Sequence, residues 1–322
     1  MRILVTGGAG FIGSNLVEIL LQDERVTLVR VLDNLATGSI RNIESFRDHP
    51  KFEFIEGDIR NYNTCLEACD SINLISHQAA LGSVPRSVAD PLTTNEVNIT
   101  GTLNIFTAAK EKKVKRVVYA ASSSTYGDHP GLPKIEDKIG KPLSPYAVTK
   151  YVNELYAQVY ASLYSVQFIG LRYFNIFGPR QSPGGAYAAV IPLFAKALLE
   201  NIPPVINGDG SHSRDFTFVD NAVQANILSL FTTEQEAVNQ VYNIACGHQI
   251  SLLELFNTLK KEAGSTLEAI HGPERTGDVK YSLADISKAQ KLLGYQPAVS
   301  VEEGLKKVFR WYREDSLKSI NI

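Results

Sequence analysis

A short apolar run, Arg2-Ile3-Leu4-Val5-Thr6, opens directly into Gly7-Gly8-Ala9-Gly10-Phe11-Ile12-Gly13. Apolar and small residues then continue at helical spacing to about Gln22. Strand, glycine turn and helix in this order are the context a dinucleotide fingerprint requires. Gly7 permits the tight turn, Gly10 lets backbone approach a pyrophosphate, and Gly13 lets the helix pack against the strand. The first helical residues, Phe11 and Ile12, then present their N–H groups to the phosphates. Alone, the run also reads as an ordinary glycine-rich connection. The next strand narrows the choice. Thr27 to Leu32 ends in Asp33, twenty residues after Gly13. An acid there accepts hydrogen bonds from the adenosine ribose and repels a 2′-phosphate, so the expected cofactor is NAD. Asn34 is placed to share that contact.

The alternation continues. Phe52 to Glu56 reads as a strand, followed by Gly57-Asp58-Ile59, where Asp58 and Ile59 are placed to reach the adenine. Asn61 to Cys69 reads as a helix. Ile72 to Ser76 is a strand running into His77-Gln78-Ala79-Ala80, whose small residues suit backbone lying against a cofactor. Glu96 to Lys112 is a long helix, and Val114 to Ala120 a strand ending in Ser122-Ser123-Ser124-Thr125-Tyr126-Gly127. Such alternation implies a doubly wound parallel sheet of Rossmann type, with ligands outside the carboxyl ends of the strands.

Tyr146 and Lys150 lie four residues apart in a helix expected to begin near Pro145, which places them on one face. A lysine ammonium near a phenol favours the phenolate, so the pair supplies a proton acceptor. The spacing alone also fits one buried aromatic and one snorkelling lysine. After the strand Gln167 to Arg172 the regularity decays into loops rich in Pro, Gly and Asn. Helices are expected over Ala188 to Glu200, Val219 to Phe231, Leu252 to Ala263, Ile286 to Leu293 and Val301 to Arg313, with a loose tail after Asp315. The expected division is a dinucleotide-binding domain over 1–175 and, over 176–322, a smaller mixed α/β lobe that closes over the carboxyl edge and partly returns to the sheet.

Composition excludes several classes. The net charge of −2, with acids and bases interspersed, argues against nucleic-acid and membrane-surface partners. No apolar run reaches transmembrane length. The first strand leaves no room for a signal peptide, and Cys65, Cys69 and Cys246 cannot form a disulfide framework, so a cytosolic location is expected. The six histidines lack ligand spacing, and no metal is expected.

Together, the glycine run, Asp33-Asn34, Gly57-Asp58-Ile59, the serine run, Tyr146 to Lys150 and Arg172-Tyr173-Phe174-Asn175 resemble an extended short-chain dehydrogenase/reductase of the nucleotide-sugar epimerase and dehydratase group. The resemblance covers Arg2 to about Arg313. It implies that Ser122, four residues before Tyr126 of the Tyr-Gly pair, is catalytic with Tyr146 and Lys150. It places Asn98 and Gly101 as structural residues and Tyr173 at the cofactor. Ala120 to Glu154, Gly82-Ser83-Val84-Pro85-Arg86-Ser87 and Asn207-Gly208-Asp209-Gly210 are most similar to 4-epimerases acting on UDP-N-acetylglucosamine.

The implied activity is reversible epimerisation at C4 through a 4-keto sugar, with tightly bound NAD. The implied substrate contacts are Gly82, Ser83, Ser122, Ser123, Tyr146 and Asn207, with Asn175, Arg214 and Arg275 on sugar or diphosphate. Asp278 falls to the uridine ribose, Ala189-Val190 to the uracil, and Ser282 to the position that sets sugar size. Taken singly, the arginines read equally as solvated charges and Ser282 as a surface serine. UDP-glucose and UDP-glucuronic acid are alternative substrates. A 4,6-dehydratase is disfavoured because Ser123 and Ser124 carry no carboxylate, and a non-enzymatic NAD sensor because Ser122, Tyr146 and Lys150 occur together. The resemblance also implies a homodimer through the Glu96–Lys112 and Tyr146–Leu163 helices.

Overall fold

The computed structural model describes residues 1–184, 188–273 and 281–320, the last four by their backbone. Seven parallel strands form the central sheet. Their spatial order is Gln240–Ile244, Gln167–Tyr173, Arg116–Ser122, Leu74–His77, Arg2–Thr6, Leu28–Asp33 and Phe52–Glu56. The chain starts at the middle, winds outward to Phe52–Glu56, then crosses back to Leu74–His77 and winds the other way. The reversal lies between Arg2–Thr6 and Leu74–His77, and a crevice opens there at the carboxyl ends.

Both faces of the sheet are covered, so the strands are apolar on both sides. Successive side chains alternate between the two cores. Ile3 and Val5 join a core with the helices Phe11–Gln22 and Val219–Phe231, whereas Leu4 joins one with Thr102–Glu111. Phe106 centres the second core, with Phe168 at 4.8 Å and Tyr119 at 5.7 Å between ring centroids. Two buried arginines tie strands to helix ends. Arg30 donates to the Ala68 and Asp70 carbonyls, both at 2.9 Å, and Arg116 to those of Ser229, Leu230 and Thr232 at 2.8–3.0 Å. Each guanidinium satisfies helix-terminal carbonyls that have no partner within their own helix.

Several expectations need correction. The single helix over Glu96 to Lys112 is a π turn, Glu96–Gly101, followed by the α-helix Thr102–Glu111. The wide turn accommodates Gly101, where a Cβ would lie 2.6 Å from Ile59 Cδ1. Two short helices precede it, Val84–Ala89 and Pro91–Asn95, each with proline in its first turn and a side-chain cap from Ser83 or Asp90. The strand before the serine run spans Arg116–Ser122, so Ser122 is its last residue and Ser123–Tyr126 forms a 3-10 turn. The tail is not loose: the final helix spans Val301–Ile320. Leu305, Val308, Phe309 and Tyr312 bury one face of it, and Lys306–Glu302 and Lys307–Glu303 pair along another.

Candidate active site

At the crevice the first strand turns sharply through Gly7, whose φ is +70°. A Cβ there would sit 2.7 Å from the Ala79 nitrogen, and one on Gly13 would sit 2.1 Å from the Gly7 carbonyl oxygen. The turn therefore has room for backbone only. The helix Phe11–Gln22 begins with no side-chain cap, so its first N–H groups and its dipole favour an anion.

Asp33 stands at the end of the next strand. Its carboxylate accepts from Ala9 N at 2.9 Å and Leu35 N at 2.8 Å. Burial pushes its pKa up against these two bonds. Asp58 lines the same crevice, paired with Arg60 at 2.7 Å, which holds its carboxyl at about 2. Asn34 is tied to Asp58 at 2.9 Å.

The segment after Leu74–His77 is clamped from two sides. Asn98, in the π turn, accepts from Leu81 N at 2.8 Å, donates to Leu81 O at 3.1 Å and donates to Thr149 at 3.2 Å. His77 is enclosed between Thr6 at 2.7 Å and Thr102 at 2.9 Å, and burial brings its pKa down to about 3, so its imidazole is neutral. These contacts couple the first strand, the Gln78–Gly82 segment and the helix that carries Tyr146.

That helix, Pro145–Leu163, has Pro145 at its first position and the Ser144 hydroxyl accepting from Ala147 N at 3.1 Å. Tyr146 is half-buried in its first turn, and burial pushes the phenol above its ordinary value while a hydrogen bond with Ser122 opposes this. Lys150 is one turn further on, 4% exposed, and donates to Ala120 O at 2.7 Å. Burial lowers its ammonium to about 8, against the Glu154 charge. The Lys150 Nζ lies 5.9 Å from the Tyr146 ring centroid and is bonded to the strand carbonyl, so Ser122 supplies the opposition. A further turn along, Glu154 makes a two-pronged pair with Arg172 at 2.9 and 2.7 Å, both side chains buried.

The glycine turn, Asp33, Asp58, Ser122, Tyr146 and Lys150 border one cleft of about 700 Å³. Every residue expected at the cofactor lines it: Gly7, Gly10, Phe11, Ile12, Gly13, Asp33, Asn34, Asp58, Ile59, Gln78, Ala79, Ala80, Tyr146, Lys150 and Tyr173. Of the expected substrate contacts, Gly82, Ser122, Ser123 and Asn175 line it too. The Ser83 hydroxyl caps the helix Val84–Ala89, and Ser83 is not part of the lining. Ala189 caps and Val190 begins the helix Val190–Leu199, and Asn207 ends the strand Val205–Asn207; none of the three lines the cleft. Arg214 and Ser282 also lie outside its lining but adjoin each other, because Ser282 N donates to Ser213 O at 3.2 Å. Arg275 and Asp278 lie outside the described residues.

Sequence reasoning missed Asp215, which is fully buried beside Arg214. Its carboxylate accepts from Cys246, Gly247 and Ala284 N–H groups at 3.0–3.2 Å, and burial pushes its pKa to about 6. It also missed Ser76 and Asn226, whose side chains join those of Gln78 and Tyr173. Nothing local in the sequence marks these residues, because their partners come from distant segments.

A parallel sheet with a glycine turn at the switch point, an acid after the second strand and a Ser-Tyr-Lys set over one cleft defines an extended short-chain dehydrogenase/reductase. Residues 3–245 match the family described as "NAD dependent epimerase/dehydratase family". A UDP-glucose 4-epimerase of Mycolicibacterium smegmatis is 38% identical over 318 residues, covering 98% of this chain and 100% of its own. A UDP-N-acetylglucosamine 4-epimerase of Methanobrevibacter ruminantium M1, solved with UDP-N-acetylmuramic acid, superposes with a TM-score of 0.91 at 37% identity, covering 98% of both chains. A UDP-glucose 4-epimerase of Thermus thermophilus, solved with NAD, superposes with a TM-score of 0.87 at 35% identity over 97% of this chain and 99% of its own. The chain belongs to the NAD-dependent epimerase/dehydratase family, and its cofactor is NAD. The backbone-only turn at Gly7 and Gly13 and the Asp33 carboxylate fit that dinucleotide. Among the described residues no helix is long and apolar enough to cross a membrane.

Proposed function

We propose that the protein interconverts UDP-N-acetylglucosamine and UDP-N-acetylgalactosamine by 4-epimerisation. When bound, NAD would accept a hydride from C4 and give it back to the opposite face of the 4-keto sugar, so that no second oxidant or reductant is consumed. Tyr146 takes the proton of the 4-hydroxyl and returns it after the sugar has turned over. Ser122 hydrogen-bonds the same oxygen and steadies the carbonyl that forms there. Lys150 holds the ribose next to the nicotinamide. Arg214 and Arg275 offer the diphosphate two guanidinium groups, with Asn175, Asn207, Gly82 and Ser83 toward the sugar, Asp278 toward the uridine ribose and Ala189-Val190 toward the uracil.

The observation that carries the choice of sugar is the position of Ser282. It is the residue after Tyr281, which bridges Ser213, and its own backbone bonds to Ser213, so it stands beside Arg214 with a small side chain. A side chain as small as serine at this position supports a sugar that carries an acetamido group. Two further serines, Ser123 and Ser124, line the cleft where a dehydratase requires carboxylates, which supports epimerisation over elimination. The direct test is proton NMR of the purified protein with UDP-N-acetylglucosamine and no added NAD. The galacto epimer is expected to appear. A spectrum unchanged both with and without added NAD, alongside turnover of UDP-glucose or UDP-glucuronic acid, would replace the sugar.

Ser282→Tyr is expected to lower kcat/KM for UDP-N-acetylglucosamine about tenfold to a hundredfold more than for UDP-glucose, the range a pocket changes by steric exclusion. Competition assays with both sugars check this; an equal loss on both counts against Ser282.

We further propose a homodimer. Val148, Leu155, Val159 and Leu163 form an exposed stripe at helical spacing on Pro145–Leu163, 43–65% exposed, and Leu92 nearby is 77% exposed. Sedimentation equilibrium is expected to give twice the chain mass of 35.4 kDa.

A further inference from the structure

The cleft is backed by a closed ring of hydrogen bonds centred on Asn226, which lies in the helix Val219–Phe231 and has no exposed surface. Its amide nitrogen donates to the Tyr173 hydroxyl at 2.7 Å and to Ala222 O at 2.8 Å. Its amide oxygen accepts from Gln78 Nε2 at 3.0 Å and from the Ser76 hydroxyl at 3.1 Å. Gln78 Nε2 also donates to Ser76 Oγ at 2.9 Å, and Gln78 Oε1 accepts from the Tyr173 hydroxyl at 3.1 Å. An amide has two donor protons and two acceptor sites, and Asn226 uses all four.

This ring leaves no freedom in its proton directions. The Ala222 carbonyl can only accept, so the nitrogen of Asn226 must face it. That nitrogen also faces Tyr173, so the hydroxyl oxygen accepts there. The single phenolic proton is then left for Gln78 Oε1. Among the described residues two tyrosines line the cleft, Tyr146 and Tyr173. The proton of Tyr173 is turned into the ring, whereas Tyr146 has the serine hydroxyl as its partner.

We propose that Asn226 is a positioning residue: it holds Gln78 and Tyr173 as a fixed wall of the cofactor cleft and keeps the Tyr173 proton out of it, leaving Tyr146 as the phenol that exchanges a proton with substrate. The proposal rests on the cofactor and epimerase reading above. It also explains why a residue of the second half of the chain belongs to the dinucleotide site: Asn226 is 53 positions from Tyr173 and 148 from Gln78.

Asn226→Asp keeps the shape and, assayed at a pH high enough to ionise the buried carboxyl, can only accept. The Tyr173 proton then turns to the new carboxylate and Gln78 loses its donor. In the holoprotein, kcat is expected to fall about tenfold with KM for the UDP sugar unchanged. After borohydride reduction of the bound cofactor, its NADH emission is expected to change in intensity or wavelength. In a Tyr173→Phe background the same change at Asn226 is expected to cost less than twofold in kcat, because the misdirected proton is gone. Wild-type kcat and emission in a folded Asn226→Asp protein, or the same fractional loss in both backgrounds, overturns the proposal. If Asn226→Asp does not fold, Ser76→Ala removes one donor to the Asn226 oxygen, and a change in emission is again expected; none overturns the proposal. The emission is read without sugar. A wild-type protein inactive on UDP sugars whose emission still changes in Asn226→Asp therefore removes the substrate reading and leaves the ring standing.

Discussion

Tyr146→Phe is expected to reduce kcat by about a thousandfold while NAD content and KM for the UDP sugar stay near wild type, within the range for loss of a positioned acid–base group. The phenyl ring keeps the packing of the first helical turn and removes only the atom that moves the proton. Ser122 remains but has no acid strength of its own at neutral pH. The pH profile follows from the two groups of the helix face. Burial raises the phenol, so the ionised fraction, and with it kcat/KM, is expected to climb about tenfold per pH unit on the acid side. The Lys150 ammonium, held at about 8, loses its charge above that value and with it the charged hydrogen bonds by which it would hold the cofactor ribose, so the climb ends there. Rate measurements from pH 6 to 9.5 check both limbs. A Tyr146→Phe protein retaining a tenth of wild-type turnover would move the proton transfer to another group.

Arg172→Ala is expected to cost about 3–5 kcal/mol of folding stability, the range for leaving one member of a buried ion pair alone. Arg172 and Glu154 have side chains 4% and 3% exposed, and Arg172 also donates to Glu136 O at 2.8 Å. Alanine leaves the buried Glu154 carboxylate without the guanidinium that balances it. Urea unfolding checks the loss as a lower midpoint at unchanged slope. Replacing both partners, Arg172→Met with Glu154→Leu, is expected to cost much less than the sum of the single changes, because no charge is left stranded. Additive losses would mean that the two side chains stabilise the fold through separate contacts.

The sheet and the glycine turn and acid that border the cleft were legible because they are local. Thr6 to Gly13 carries the turn, its glycines and the helix start within eight residues, and Asp33 follows at a fixed distance. Ser144 and Pro145 announce the helix that bears Tyr146 and Lys150 in the same way. The π turn at Glu96–Gly101 was not legible, since its apolar spacing passes for α-helix and its cause, Ile59 against Gly101, lies on another segment. The bond from Lys150 to Ala120 was hidden for a related reason: four-residue spacing shows which face a side chain shares, but not the carbonyl it meets. The extension of the last helix beyond Arg313 was missed because the polar composition after Asp315 reads as a tail when the buried face before it is ignored.

The placement of Gln240–Ile244 beside Gln167–Tyr173 has a consequence for synthesis of the chain. A nascent polypeptide folds from its amino end as it emerges. Until residue 244 is free, the strand with Phe168, Ile169 and Leu171 stands at the margin of an unfinished sheet, with a full row of backbone donors and acceptors unpaired. An apolar margin of that kind recruits strands from neighbouring chains. The nucleotide fold is therefore complete only once residue 244 has emerged, and the apolar edge stays open throughout the synthesis of the chain between Gln167–Tyr173 and Gln240–Ile244.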